Sequence, residues 1–233
     1  RLAPARVSLV PGNHDVYTRG AARSGRFESY LGEYATSDLP NVAAESRDFT
    51  YPYVRLCGPA AIIGLSSALP RPPLIASGAL GAAQRRALER ILSHPALQGR
   101  LPVLLQHHPP LPRPSLVDQL LGGLYDGRAE RRLLQALPRG LVLHGHLHRR
   151  MWSRLPGPQG QVDVLGATSA SLVHGRPDRS GGFNQLEIDD EGRLAACHAV
   201  AWNREKATFQ EVELPAPAPH QGAPDRPRRA PSR

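Results

Sequence analysis

The stretch Leu141-Val142-Leu143-His144-Gly145-His146-Leu147-His148 decides how this chain reads. A short apolar run reads as a buried strand, and Gly145 ends it where two histidines stand two positions apart. Two earlier stretches have the same build. Val7-Ser8-Leu9-Val10 leads into Gly12-Asn13-His14-Asp15, and Leu101-Pro102-Val103-Leu104-Leu105 leads into His107-His108-Pro109-Pro110. Six of the ten histidines lie in these blocks or beside them. That is the pattern expected when loops at one edge of a sheet converge on a metal site.

Outward from these blocks, apolar spacing predicts helices over 23–35 (through Phe27, Tyr30, Leu31 and Tyr34), 81–94 and 129–137. Strands are predicted over 5–10, 49–56, 60–65, 101–106 and 141–144, so strand and helix alternate, which argues for an α/β core. The stretch 66–78 holds Pro70, Pro72 and Pro73, which forbid regular structure; it either lines a substrate pocket or packs on the body. After His148 the runs 151–155, 162–165, 169–173, 183–188, 194–202 and 208–214 read as consecutive antiparallel strands. Residues 215–233 carry six prolines, four arginines and no large apolar side chain, so a disordered tail is expected after a single domain over 1–214.

Composition narrows the class. With 233 residues and 40% apolar content the chain can bury a core, and no apolar run approaches the ~20 residues that span a bilayer. A cytoplasmic location is expected by default only. The net charge of +9 is almost all arginine, Lys206 being the only lysine. The arginines are scattered rather than clustered, which argues against a nucleic-acid partner. Cys57 and Cys197 are too few for a disulfide scaffold, and their spacing does not suit a structural zinc site.

Each block has a chemical reading and a plain one. Histidines two apart share a face of an extended segment, but a tight turn after Gly145 can fan them toward two neighbouring ions; the same block also fits a surface turn. His107 and His108 point to opposite faces of a strand, so at most one is a ligand, the plain reading being one core and one solvent histidine. Asn13 can ligate a cation without adding charge, His14 can donate to an oxyanion, and Asp15 can fix the tautomer of His14. Asn and Asp also favour turns for their own reasons.

In this order and context the three blocks resemble the calcineurin-like metallophosphoesterase superfamily, over about residues 5–150 and more loosely to 214. The resemblance implies an α/β fold, a two-sheet βα sandwich with a dinuclear metal centre at the sheet edges. By position, Asn13, His107 and His146 look like ligands of one metal and His148 like a ligand of the other. His14 resembles the catalytic histidine and Asp15 its orienting partner, while His108 and His144 match no ligand position. The implied cofactors are two divalent ions, Mn, Fe, Zn or Co, set about 3.5–4 Å apart to clamp a phosphoryl group and activate water. The implied partner is a small phosphoester, with nucleotides among the candidates. The layout looks like bacterial members related to class III cyclic-nucleotide phosphodiesterases.

One departure matters. The family carries an Asp-x-His and a Gly-Asp block before Gly-Asn-His-Asp, and the eleven residues ahead of Gly12 match neither. The expectation is therefore an N-terminally incomplete site and little activity in the isolated chain. The alternative is a truncated, inactive remnant that binds an anionic partner through its basic surface or through Arg226, Arg228, Arg229 and Arg233.

Overall fold

Parallel strands carry two of the three loop blocks, His107–Pro110 and Gly145–His148, toward one edge. The computed structural model describes residues 3–42, 50–215 and 217–219. Its strands are β1 (Tyr53–Cys57), β2 (Ala60–Gly64), β3 (Leu101–Gln106), β4 (Arg139–His144), β5 (Met151–Pro156), β6 (Gln161–Gly166), β7 (Gly182–Ile188), β8 (Leu194–Asn203), β9 (Thr208–Val212) and β10 (Ala218–Pro219). They form a seven-stranded mixed sheet in the order β1-β2-β3-β4-β6-β5-β10 and a three-stranded antiparallel sheet in the order β7-β8-β9. The pairs β2–β3, β3–β4 and β4–β6 are parallel. The C-terminal ends of these four strands therefore share one edge, the edge where α/β sheets place ligands.

The large sheet is covered on both faces, and period-two alternation decides what meets what. Leu104 of β3, Val142 of β4 and Val164 of β6 point to one side, where they pack with Leu88 and Ile91 of α3 (Gly81–Leu92) and Leu134 of α5 (Gly127–Gln135). Val103, Leu141 and Leu165 point to the other side, against Leu186, Ile188 and Leu194 of the small sheet. The result is a mixed α/β structure of helices, large sheet and small sheet. The start of α3 has no cap of its own. Asp126 supplies one by accepting from the backbone N–H of Leu80 and Gly81, at 3.0 and 2.8 Å, and by pairing with Arg85.

Several expectations are corrected here. The strand predicted over 5–10 is not in a sheet: Pro4–Arg6 is a 3₁₀ turn, and Val7–Val10 is extended without a ladder. The polar groups of Leu9 are met by distant segments instead, its N–H by Tyr34 O and its carbonyl by the Tyr53 hydroxyl. The helix predicted over 23–35 is split into α1 (Arg19–Ser24) and α2 (Arg26–Leu31), because Gly25 between them is left-handed. A further short helix, α4 (Leu116–Gly122), was not anticipated. The antiparallel half predicted after His148 is divided. β5 and β6 join the large sheet, and only β7–β9 stand apart. Residues 169–173 form no strand: they lie in a turn and loop held by single bonds, Gly181 N–H to Leu172 O and Gly182 N–H to Ser169 O. The predicted tail begins in order, since Ala218 and Pro219 pair with Ser153 and Arg154 of β5. The rest of that prediction, 220–233, falls outside the described residues. No helix among the described residues is long and apolar enough to cross a membrane.

Candidate metal centre

Gln106 and His144 are register partners at the ends of β3 and β4, so the loops that follow start side by side. Gly145 N–H then donates to His107 O at 3.2 Å, tying the two loops together. His107 and His146 meet there, with His107 Nε2 and His146 Nδ1 3.3 Å apart. Asn13 is buried and arrives from the Gly12–Asp15 turn, its Oδ1 2.8 Å from the same His107 Nε2. Gly12 eases that approach: a Cβ would lie 3.1 Å from the His107 ring, tighter than an ordinary contact.

The tautomers can be worked out from partners. His146 Nε2 faces the carbonyl of Gly122 at 2.9 Å and must carry the proton, which leaves Nδ1 as a lone pair turned toward His107. The amide oxygen of Asn13 is a second acceptor on the same nitrogen. Two acceptors thus face His107 Nε2, where one proton or one cation can satisfy both. Ligands held about 2.1 Å from one ion stand roughly 3.0–3.4 Å from each other; the 3.3 Å between His107 and His146 falls in that range, and the 2.8 Å between Asn13 and His107 is a hydrogen-bond distance that a small outward shift would open. The donor set Asn13 Oδ1, His107 Nε2 and His146 Nδ1 therefore suits a borderline divalent cation.

His108 also lies within the cluster, its ring nitrogens within reach of those of His107 and His146. Its chemistry is already spoken for. The Ser67 hydroxyl sits 2.9 Å from Nδ1 and accepts from the His108 backbone N–H, while Nε2 donates to Ala76 O at 2.7 Å. A neutral His108 so arranged has no lone pair left, so we assign it a structural role. It anchors the Pro-rich loop over the edge, with Ala76 N–H donating in turn to Leu121 O of α4. Gly78 permits this closure, since a Cβ there would lie 2.2 Å from Ser67 O. The loop thus packs on the body along much of its length, while Leu74 is left exposed.

Burial keeps the imidazoles neutral, the state a ligand needs. It pushes His107 down to about 3, helped by the neighbouring histidines, and His108 and His144 down to about 4. His146 is lowered by burial as well, against its bond to Gly122 and with Arg113 nearby. Beneath the loops Gln106 donates to His108 O and to Glu130, which burial raises to about 8.

The other expected residues are placed differently. His148 is exposed and outside the cluster. His146 and His148 both have left-handed backbones, φ +61° and +47°, a strained choice for histidine that turns one ring inward and leaves the other at the rim. His14 is exposed and stacks on Tyr17 at 5.8 Å. Asp15 accepts from Gly12 N–H at 2.8 Å, closing its own turn rather than hydrogen-bonding to His14. The cluster contains no carboxylate among the described residues.

Two cavities flank the centre. One, about 380 Å³, is mostly apolar and lies between Val10, the ends of β3 and β4, and β7. The other, about 570 Å³, is bounded by the Pro109–Pro114 stretch, His146, Arg149 and Arg179. Sequence reasoning anticipated neither, and the 66–78 stretch lines neither of them. Arg113, Arg149 and Arg179 are distant in sequence and carry no local signature. Neither protein-family models nor curated proteins give a match to this chain.

Proposed function

We propose that this chain is a metal-dependent phosphoester hydrolase with the two-sheet βα sandwich of the calcineurin-like metallophosphoesterases. The convergence of Asn13 Oδ1, His107 Nε2 and His146 Nδ1 supports this reading. A neutral, three-donor set at the carboxyl edge of parallel strands has little purpose in packing, because it leaves two acceptors sharing one nitrogen. Asn13, His107 and His146 would hold one divalent ion, and His148 stands at the rim where it can serve a second. Such an ion supplies Lewis acidity toward a phosphoryl oxygen and lowers the pKa of water. The residues of the chain do the rest. Exposed His14 can donate a proton or hydrogen bond to a departing oxygen, Asn13 adds no negative charge that would repel the substrate, and the buried histidines stay neutral.

The test is metal content and hydrolysis of bis(p-nitrophenyl) phosphate with Mn²⁺, Co²⁺ or Zn²⁺. One tightly held ion per isolated chain is expected, lost in Asn13→Ala, His107→Ala and His146→Ala. A wild-type chain that binds no divalent ion would sink the reading. Two tight ions would overturn the expectation of an incomplete site. An ion bound without hydrolysis of any phosphoester would favour the remnant.

A further inference from the structure

The cavity of about 570 Å³ beside His146 is lined by three arginines from three separate parts of the chain. Arg113 follows the His107–Pro110 block, Arg149 follows His148, and Arg179 ends a 3₁₀ turn at Pro177–Arg179. Like charges are not gathered around a cavity without a reason, because each repels the others. Asp178 is the nearby carboxylate, and it is shared: it pairs with Arg149 at 3.2 Å and with Arg176 at 3.0 Å.

The hydrogen bonding sharpens the point. Among the described residues, the Nε of Arg113 and of Arg179 is shut off from solvent with no hydrogen-bond partner, and the charge of Arg179 is met in part by the neighbouring Asp178. A buried unpaired donor is costly, and guanidinium is built to grip oxyanions with several donors at once. The volume is in the range of small-molecule sites and exceeds what one phosphate needs.

We propose that this pocket is an anion subsite that holds the second phosphate of a diphosphate-type substrate, such as a nucleoside diphosphate or a diphosphate ester, while the reacting phosphate faces His146. The assignment of the reacting phosphate rests on the phosphoesterase reading; the anion site itself does not. Arg113 and Arg179 are its principal donors, and Arg149, half-committed to Asp178, adds charge at its mouth.

The experiment titrates inorganic pyrophosphate into the metal-free full chain by calorimetry at two salt concentrations. Wild type should bind, and Arg113→Met and Arg179→Met should each weaken binding about tenfold or more, as expected for loss of a charge-assisted bond. Arg149→Met, an exposed substitution, should weaken it less and guards against misfolding in the other two. Arg86→Met, on the exposed face of α3, should change nothing. Wild-type affinity in Arg113→Met and Arg179→Met would overturn the proposal, and so would an equal loss in Arg86→Met, which would mean attraction to net charge alone. The two readings fail separately. A chain that binds no divalent ion but shows the arginine dependence keeps the anion site and loses the phosphoesterase. A chain that binds the ion with silent arginines loses only the subsite.

Discussion

His107-His108 and His146-Leu147-His148 are both histidine pairs at the end of a parallel strand, and they are used in opposite ways. In the first pair the inner residue, His108, has every polar group occupied by Ser67 and Ala76, and its neighbour His107 is left with a nitrogen facing two acceptors. In the second pair a left-handed turn sends His146 in and leaves His148 exposed. Nearness to the cluster thus does not make a histidine a ligand. What counts is whether a ring nitrogen is left facing the shared centre, as in His107 and His146, or is taken up by the protein, as in His108.

That contrast can be broken by substitution. The largest effect expected is on metal affinity: His107→Ala should weaken binding of the ion by at least ~100-fold, a heavier loss than removal of an outer partner. His108→Ala should do the converse. It removes a buried ring and strands the Ser67 hydroxyl and Ala76 carbonyl, so chemical denaturation should show a loss of about 2–5 kcal/mol. Ion affinity in that variant should change much less than in His107→Ala; equal losses in the two would end the distinction. His148→Ala should leave the first ion's affinity nearly untouched, and a large drop measured by competition with a chelator would place His148 among its ligands.

The smallest effects are in the pH dependence of stability of the metal-free protein. His107, His108 and His144 have folded pKa values depressed to about 3–4 from 6.5, so the unfolded chain binds more protons between those limits, and stability should fall as pH drops from about 6.5. Glu130 works the other way. Its folded pKa is raised from 4.5 to about 8, so its contribution is full below 4.5 and is lost as pH rises through 8. Glu130→Gln, which mimics the neutral acid, should flatten the alkaline limb and spare the acid one. An unchanged alkaline limb would mean that Glu130 is ionised in the fold.

The parts of the site visible in the sequence were those carried by local pattern. Apolar runs ending in glycine or proline marked β2, β3 and β4 closely, because a buried parallel strand needs a continuous apolar stretch whatever its neighbours. The same reasoning over-read Val7–Val10, which is apolar enough for a strand but has no ladder to join among the described residues. It also read 151–155 and 162–165 as antiparallel strands, which β5 and β6 are, but not that β6 would pair in parallel with β4 and so join both to the large sheet. Pairing partners are a tertiary choice, and an apolar strand pattern does not record which edge it will meet.

By itself the sequence determined the mixed α/β class and the strand ends on which the histidine blocks ride, while the candidacy of Asn13, His107 and His146 came from the family resemblance of those blocks. Residue type and period suffice for the first two, since burial is a property of single side chains and short runs. Only the tertiary structure decided that His108 is consumed by Ser67 and Ala76, that His148 is left at the rim, and that Arg113, Arg149 and Arg179 share one pocket. The physical reason is the same in each case. A hydrogen bond or a shared charge depends on which distant segment arrives, and loops brought to a common edge by parallel strands acquire partners that no local pattern encodes.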